Sequence, residues 1–125
     1  MIPKFRAWLK KEQKMDNYID HISWLEDELY CIGDGITYMV SAEDLVLMQS
    51  TGLVDKNGKE IFEGDIVKMA KDVYSELTYY EVVRHRGGAY RLESNQHGCE
   101  LWLRHTDCEV VGNVYENREL LEDEE

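Results

Sequence analysis

The chain has 125 residues and a net charge of −12, with 14 Lys and Arg against 26 Asp and Glu. A composition that is 43% apolar and 10% aromatic supplies a core, which excludes an acidic disordered tail and fits one domain or two small ones. No apolar run approaches the roughly 18 residues of a membrane span, and the N-terminus lacks a signal-peptide h-region, so a soluble cytoplasmic protein is expected. The 3 cysteines, an odd number, argue against a disulfide framework, and free duplex DNA is disfavoured as a partner by simple repulsion.

In chain order, Phe5, Ala7 and Leu9 alternate with Arg6 and Trp8, the period of a strand with one buried face. Trp8 then either faces solvent beside Arg6, as an interaction anchor, or is core under a second covered face. Lys10 to Lys14 reads as a polar turn. A strand is expected near Tyr18 to Trp24, and Leu29 to Ile32 with Ile36 to Val40 forms a hairpin around Gly33-Asp34-Gly35. Ser41 opens a short turn through Asp44, followed by a strand over Leu45 to Gln49.

Asp55-Lys56-Asn57-Gly58 carries the densest turn chemistry, pairing Leu53 and Val54 with Glu60 to Phe62. Glu63-Gly64-Asp65 breaks the chain before a strand at Ile66 to Lys71. Further β-prone segments are Leu77 to His85, Ala89 to Glu93, Glu100 to Arg104 and Glu109 to Tyr115. Short strands at this spacing predict a small bent barrel, closed by a brief terminal helix with Asn117 as its N-cap. The expected fold is therefore mainly β: a hairpin-rich N-terminal part over 1–62, then a small SH3-like barrel and acidic tail over 63–125.

Charge is uneven: Lys4, Arg6, Lys10, Lys11 and Lys14 crowd the start, and Glu122 to Glu125 form an acidic end. The metal-like grouping is His97 and Cys99 with His105 and Cys108, a donor set that suits tetrahedral zinc. Its spacing is not that of a Cys-x₂₋₄-Cys knuckle, and two histidines with two semi-buried thiols are the simpler reading. No nucleophile elbow, Walker A loop or Gly-x-Gly-x-x-Gly turn occurs, so neither a catalytic triad nor a nucleotide cofactor is indicated.

Three segments carry a family signature: Ile2 to Leu9 (IPKFRAWL), Leu47 to Lys68 (LMQSTGLVDKNGKEIFEGDIVK) and Glu109 to Leu121 (EVVGNVYENRELL). Together they resemble the YopX family of phage and prophage proteins across essentially the whole chain. The resemblance implies a mainly β protein with a barrel-like C-terminal half, acting in the bacterial cytoplasm, with no established enzymatic activity and no cofactor. Leu9, Val54, Phe62 and Arg118 depart from the family's usual Asp, Lys, Tyr and Pro.

The shared motif falls on Arg6, Ala7, Trp8, Met48, Gln49, Thr51, Gly52, Asp55, Asn57, Gly58, Gly64, Asp65, Val67, Gly112, Asn113, Tyr115 and Asn117. Its glycines suit turns, Asp65 the start of the barrel, and Asn117 a cap. Arg6, Trp8, Gln49 and Thr51, with Asp55 and Asn57 beside them, form the candidate interaction surface. The expected function is a phage accessory module that binds a bacterial or phage protein as a homo-oligomer. The alternatives are an acidic nucleic-acid mimic and a small barrel that binds nucleic acid weakly through its N-terminal cations.

Overall fold

A computed structural model describes residues 4–19, 21–25, 29–34, 36–70, 74–85, 88–94 and 97–122. Gly35, Lys71, Arg86-Gly87, Asn95-Gln96 and the tail 123–125, which include parts of the expected turns, the end of the strand expected at Ile66 to Lys71 and the acidic end, lie outside the described residues. Two compact units follow one another, Met1–Ser50 and Thr51–Glu125. The boundary lies inside one strand, upstream of the 62/63 division expected from the Glu63-Gly64-Asp65 break.

In the first unit, β1 (Phe5–Leu9) pairs antiparallel with β2 (Lys14–Ile19). The turn between them is closed by a 2.9 Å hydrogen bond from Gln13 Nε2 to the Lys10 carbonyl. On its other side β1 pairs with β6 (Leu45–Val54), placing Arg6 opposite Met48 and Trp8 opposite Val46. β3 (His21–Leu25), β4 (Leu29–Asp34) and β5 (Ile36–Ser41) form a separate antiparallel meander. The expected hairpin at 29–40 is present, and the strand expected at 18–24 is split between the end of β2 and β3. Ala7, Leu9 and Leu45 make a small core with Ile19, Val40 and Leu47 beside it.

The second half of β6 carries the hairpin to β7 (Glu60–Phe62). Four antiparallel strands then follow in sequence, β8 (Asp65–Ala70), β9 (Leu77–Arg84), β10 (Tyr90–Glu93) and β11 (Gly98–Glu100). A one-turn helix α1 (Leu101–Arg104) and a 3-10 turn (His105–Asp107) lead into β12 (Glu109–Asn113), which returns to the far side of β8. The resulting order, β11-β10-β9-β8-β12, is that of an SH3-like half-barrel, as expected from the sequence. A short helix α2 (Glu119–Glu122) ends the described chain.

The inner face of this sheet buries Ile61, Val67, Met69, Tyr80, Val82, Leu92, Leu101 and Cys108 in one cluster. Their alternation along β8 to β10 is the period-2 pattern of a one-sided sheet. One difference from expectation is local: Glu100 to Arg104 reads as a strand but turns into α1 after Glu100. Three apolar residues in succession, Leu101-Trp102-Leu103, cannot all face the core from a strand. The helical turn buries Leu101 completely and leaves Trp102 and Leu103 exposed. Among the described residues no helix is long and apolar enough to cross a membrane.

Candidate functional site

Asp55 organises the first part of the second unit. Its Oδ1 accepts the Asn57 N–H at 2.8 Å and the Lys59 N–H at 2.9 Å, which shapes the β6–β7 turn. Its Oδ2 accepts the Val110 N–H at 2.8 Å from β12, and Lys56 N–H donates to the Cys108 carbonyl at 3.0 Å. One buried carboxylate thus ties a local turn to a strand 55 residues away. Burial pushes its carboxyl upward, but the N–H groups of Val110, Lys59 and Asn57, with the Lys59 charge, outweigh that and hold it below the usual 3.8.

The Gly112 to Asn117 motif is a second closed network. Asn113 is buried; its Oδ1 accepts the N–H groups of Tyr115 and Glu116, each at 2.9 Å, and its Nδ2 donates to Glu116 at 2.8 Å. Asn117 folds back so that its Oδ1 accepts the Asn113 N–H at 3.1 Å. Its side chain therefore secures the turn after β12 instead of capping α2, while its carbonyl accepts the Leu120 N–H at 2.9 Å. Gly112 is required by this approach, because a Cβ there would come within 2.6 Å of Asn117 Cγ. Asp65, as expected, orders the start of the barrel: its Oδ2 accepts the Phe62 N–H at 2.8 Å.

The candidate surface residues divide between the two units. In the first, Arg6 and Trp8 are both 6% exposed and Gln49 is half-buried. Both faces of β1 are thus covered, and Trp8 presents no free ring. In the second, Thr51 donates its hydroxyl to the Ile61 carbonyl at 2.8 Å and accepts the Leu53 N–H at 3.2 Å. Asp55 is 3% exposed and Asn57 is exposed in the turn. Thr51 and Asp55 spend these hydrogen bonds on internal backbone.

The four nitrogen and sulfur candidates do not converge either. Among the described residues no three His, Cys, Asp or Glu side chains are grouped to hold a metal. His105 Nδ1 lies 2.7 Å from the Val54 carbonyl, which only accepts, so that nitrogen carries the proton. His97 stacks edge-on against Tyr80 at 6.1 Å between ring centres. The Cys108 thiol donates to the His105 carbonyl at 3.3 Å. Burial, reinforced by nearby Asp55, pushes this thiol up to about 12, and burial also raises Cys99. Both thiols are therefore expected to resist alkylation at pH 8 in the folded protein and to react at ordinary rates once it is denatured. Fast native labelling of Cys108 would contradict the packing.

What the sequence did not single out is the outward side of α1. Trp102 is 65% and Leu103 58% exposed, on a turn whose C-terminal end is tied down by side-chain bonds. Arg104 donates to the Ala70 carbonyl at 2.9 Å and to Asp107 at 2.8 Å, and His105 is bonded to Val54. These bonds place α1 between the end of β6 and the ends of β8 and β9, where Val54 is exposed and Leu77, paired with Ala70, is exposed as well. Val54, Leu77, Trp102 and Leu103 are thus exposed on segments that these bonds and strand pairings tie together. The available signal was the unbroken Leu-Trp-Leu run, which has no place in a half-buried strand.

The sequence profile described as YopX protein matches residues 4–122. This chain belongs to the YopX family. Among solved structures, it is similar to protein EF1440 from Enterococcus faecalis, with 31% identity and a TM-score of 0.64 over 97% of this chain and 99% of that one. It also resembles protein yopX from Bacillus subtilis, with 21% identity and a TM-score of 0.67 over 94% and 96% of the two chains. No curated protein matches. Of the residues assigned to the motif by resemblance, Asp55, Asp65, Gly112, Asn113 and Asn117 all have a structural role in this chain, and Trp102 and Leu103 were not among them.

Proposed function

We propose that this YopX-family chain is a phage or prophage accessory protein that works in the bacterial cytoplasm as a protein-interaction module, assembling as a homo-oligomer that binds a bacterial or phage protein. The observation that carries this reading is the pair Trp102 and Leu103, exposed on α1 and flanked by exposed Val54 and Leu77. Exposed aromatic and aliphatic side chains on a fixed frame are the usual anchors of protein interfaces. A barrel of this size is also near the lower limit for independent stability, which a second copy seated on the apolar end would relieve.

The acidic-mimic alternative finds less support. Described carboxylates are interleaved with cations: Glu93 and Glu100 share Arg91, Asp107 is bonded to Arg104, and Asp44 lies 3.4 Å from Lys11. Asp55 and Asp65 are buried. A phosphate mimic needs an uninterrupted acidic row. The double variant Trp102→Ser/Leu103→Ser is expected to keep the far-UV spectrum of the wild type while losing self-association by light scattering, and to melt lower because the second copy no longer adds its stabilisation. Unchanged mass in the variant would remove α1 from the interface.

A further inference from the structure

The outer face of the half-barrel carries one row that crosses all five strands. Gly112 of β12 is opposite Ile66 of β8, Ile66 is opposite Glu81 of β9, Glu81 is opposite Glu93 of β10, and Glu93 is opposite Gly98 of β11. Residues directly opposite in antiparallel strands share a face, so this row lies away from the core cluster, to which Ile66 does not belong. Ile66 is nevertheless completely buried. Something covers it from outside.

The C-terminal segment lies on this face. Asn117 sits directly on Gly112, at the β12 end of the row, and α2 packs on β9 two strands away. The chain from 117 to 122 therefore runs from β12 to β9, the two strands that flank Ile66 on β8. Its own cohesion is slight: the Leu120 N–H bonds to the Asn117 carbonyl at 2.9 Å and the Leu121 N–H to the Arg118 carbonyl at 3.0 Å. A helix of four residues is not stable by itself in water, so it is held by docking, with half-buried Leu120 and Leu121 as its apolar contribution.

The electrostatics of the docked state are mixed. Glu81 is opposite Glu93, and Glu119 arrives on α2 itself. Arg118 is the cation of the segment and attracts Glu81. From the other elements, Lys68 lies two residues along β8 from Ile66. On β10 and in the loop before it, Arg91 at 3.1 Å and His85 at 3.1 Å both bond Glu93, and Arg91 is drawn further to Glu100 of β11 at 2.9 Å. A Cβ at Gly98 would meet the Arg91 guanidinium at 3.0 Å, so the glycine lets that cation lie across the row beside Glu93. The fork is thus committed to Glu93 and Glu100, and Glu81 is left half-buried between an isoleucine and a second carboxylate.

The geometry points to a displaceable strap: residues 117–122 cover an apolar site centred on Ile66, and Glu81 beneath them weakens their hold when ionised. Burial is the main reason that the Glu81 carboxyl is raised above its usual 4.5; Arg118 lowers it and Glu93 adds to the rise. The sign follows. A carboxyl raised in the docked state favours that state when protonated, so acidification tightens the strap and a rise toward neutral pH loosens it.

Hydrogen exchange at the Leu120 and Leu121 amides tests this in the full chain. In Glu81→Gln at pH 7 these amides are expected to exchange roughly three- to tenfold more slowly than in the wild type, with β8 and β9 amides unchanged. In Arg118→Ala they should exchange faster. The wild type serves as a check that needs no variant: after correction for intrinsic rates, strap protection at pH 4.5, the ordinary value above which the Glu81 carboxyl is raised, should exceed that at pH 7. Equal or lower protection in Glu81→Gln, a rise shared equally by β8 and β9, or strap protection that does not increase on acidification would each overturn the proposal.

Discussion

Asp55→Ala is expected to lower stability by about 3 kcal/mol or more, a large fraction of an ordinary domain's margin. The substitution leaves the Val110, Lys59 and Asn57 N–H groups without the carboxylate that accepts all three. Hydrogen bonds to a charged acceptor each contribute about 1.5–3 kcal/mol, and a buried donor left unmet costs a further amount of similar size. Asp55→Asn separates the local from the long-range part. Its amide oxygen keeps the Oδ1 bonds of the turn, but its NH₂ faces the Val110 N–H, so the link to β12 should fail while the β6–β7 turn survives.

Asp55 also fixes an acid limit. Its folded value lies below the ordinary 3.8, so the stabilisation is complete above that value and drains as pH falls through the lower folded one. Urea midpoints measured from pH 6 down to pH 2.5 should drop below about pH 4 in the wild type. The drop should be much shallower in Asp55→Asn. A parallel pH profile in both proteins would show that another carboxylate sets the limit.

Gly112→Ala is the second large effect, at about 2–3 kcal/mol, the scale of overpacking in a close-packed site. The added methyl would displace Asn117, which lies within 2.9 Å of the new carbon through its Cβ as well, and with it the bond that Asn117 makes to the Asn113 N–H. Because both residues act in one contact, the double variant Gly112→Ala/Asn117→Ala should be less damaged than the sum of the two single changes. Thermal melts of the four proteins give the coupling, and strict additivity would mean that the two side chains do not meet.

The difference between what the sequence revealed and what it hid follows from range. Turn chemistry is local, so the Asp55 to Gly58 hairpin and the break at Gly64-Asp65 could be read from residue type alone. Strand propensity between turn signals placed β8 to β10 for the same reason. The long-range half of each device was invisible: nothing in the sequence shows that the second oxygen of Asp55 reaches Val110, or that Asn117 turns back onto Gly112. Those bonds exist because the barrel brings β12 beside β8.

The surface proved hardest to read. Arg6 and Trp8 stood out because alternation put Trp8 opposite Phe5 and Leu9 in phase, yet a period-2 pattern does not report whether the second face is also covered. Trp102 and Leu103 were hidden by the opposite error, a strand assignment over a run that turns helical once Leu101 has reached the core. Asp55, Asp65, Asn113 and Asn117, assigned to the motif by resemblance, hold the fold together through their bonds, and the exposed apolar side chains lie elsewhere.

Self-association of the intact chain against that of Trp102→Ser/Leu103→Ser, by light scattering at matched micromolar concentrations, tests the central claim most directly. The account predicts a wild-type mass that is a multiple of the 14.7 kDa chain and a folded variant at the mass of one chain. A wild type that scatters as a single chain, or a folded variant with the same mass as the wild type, would contradict it.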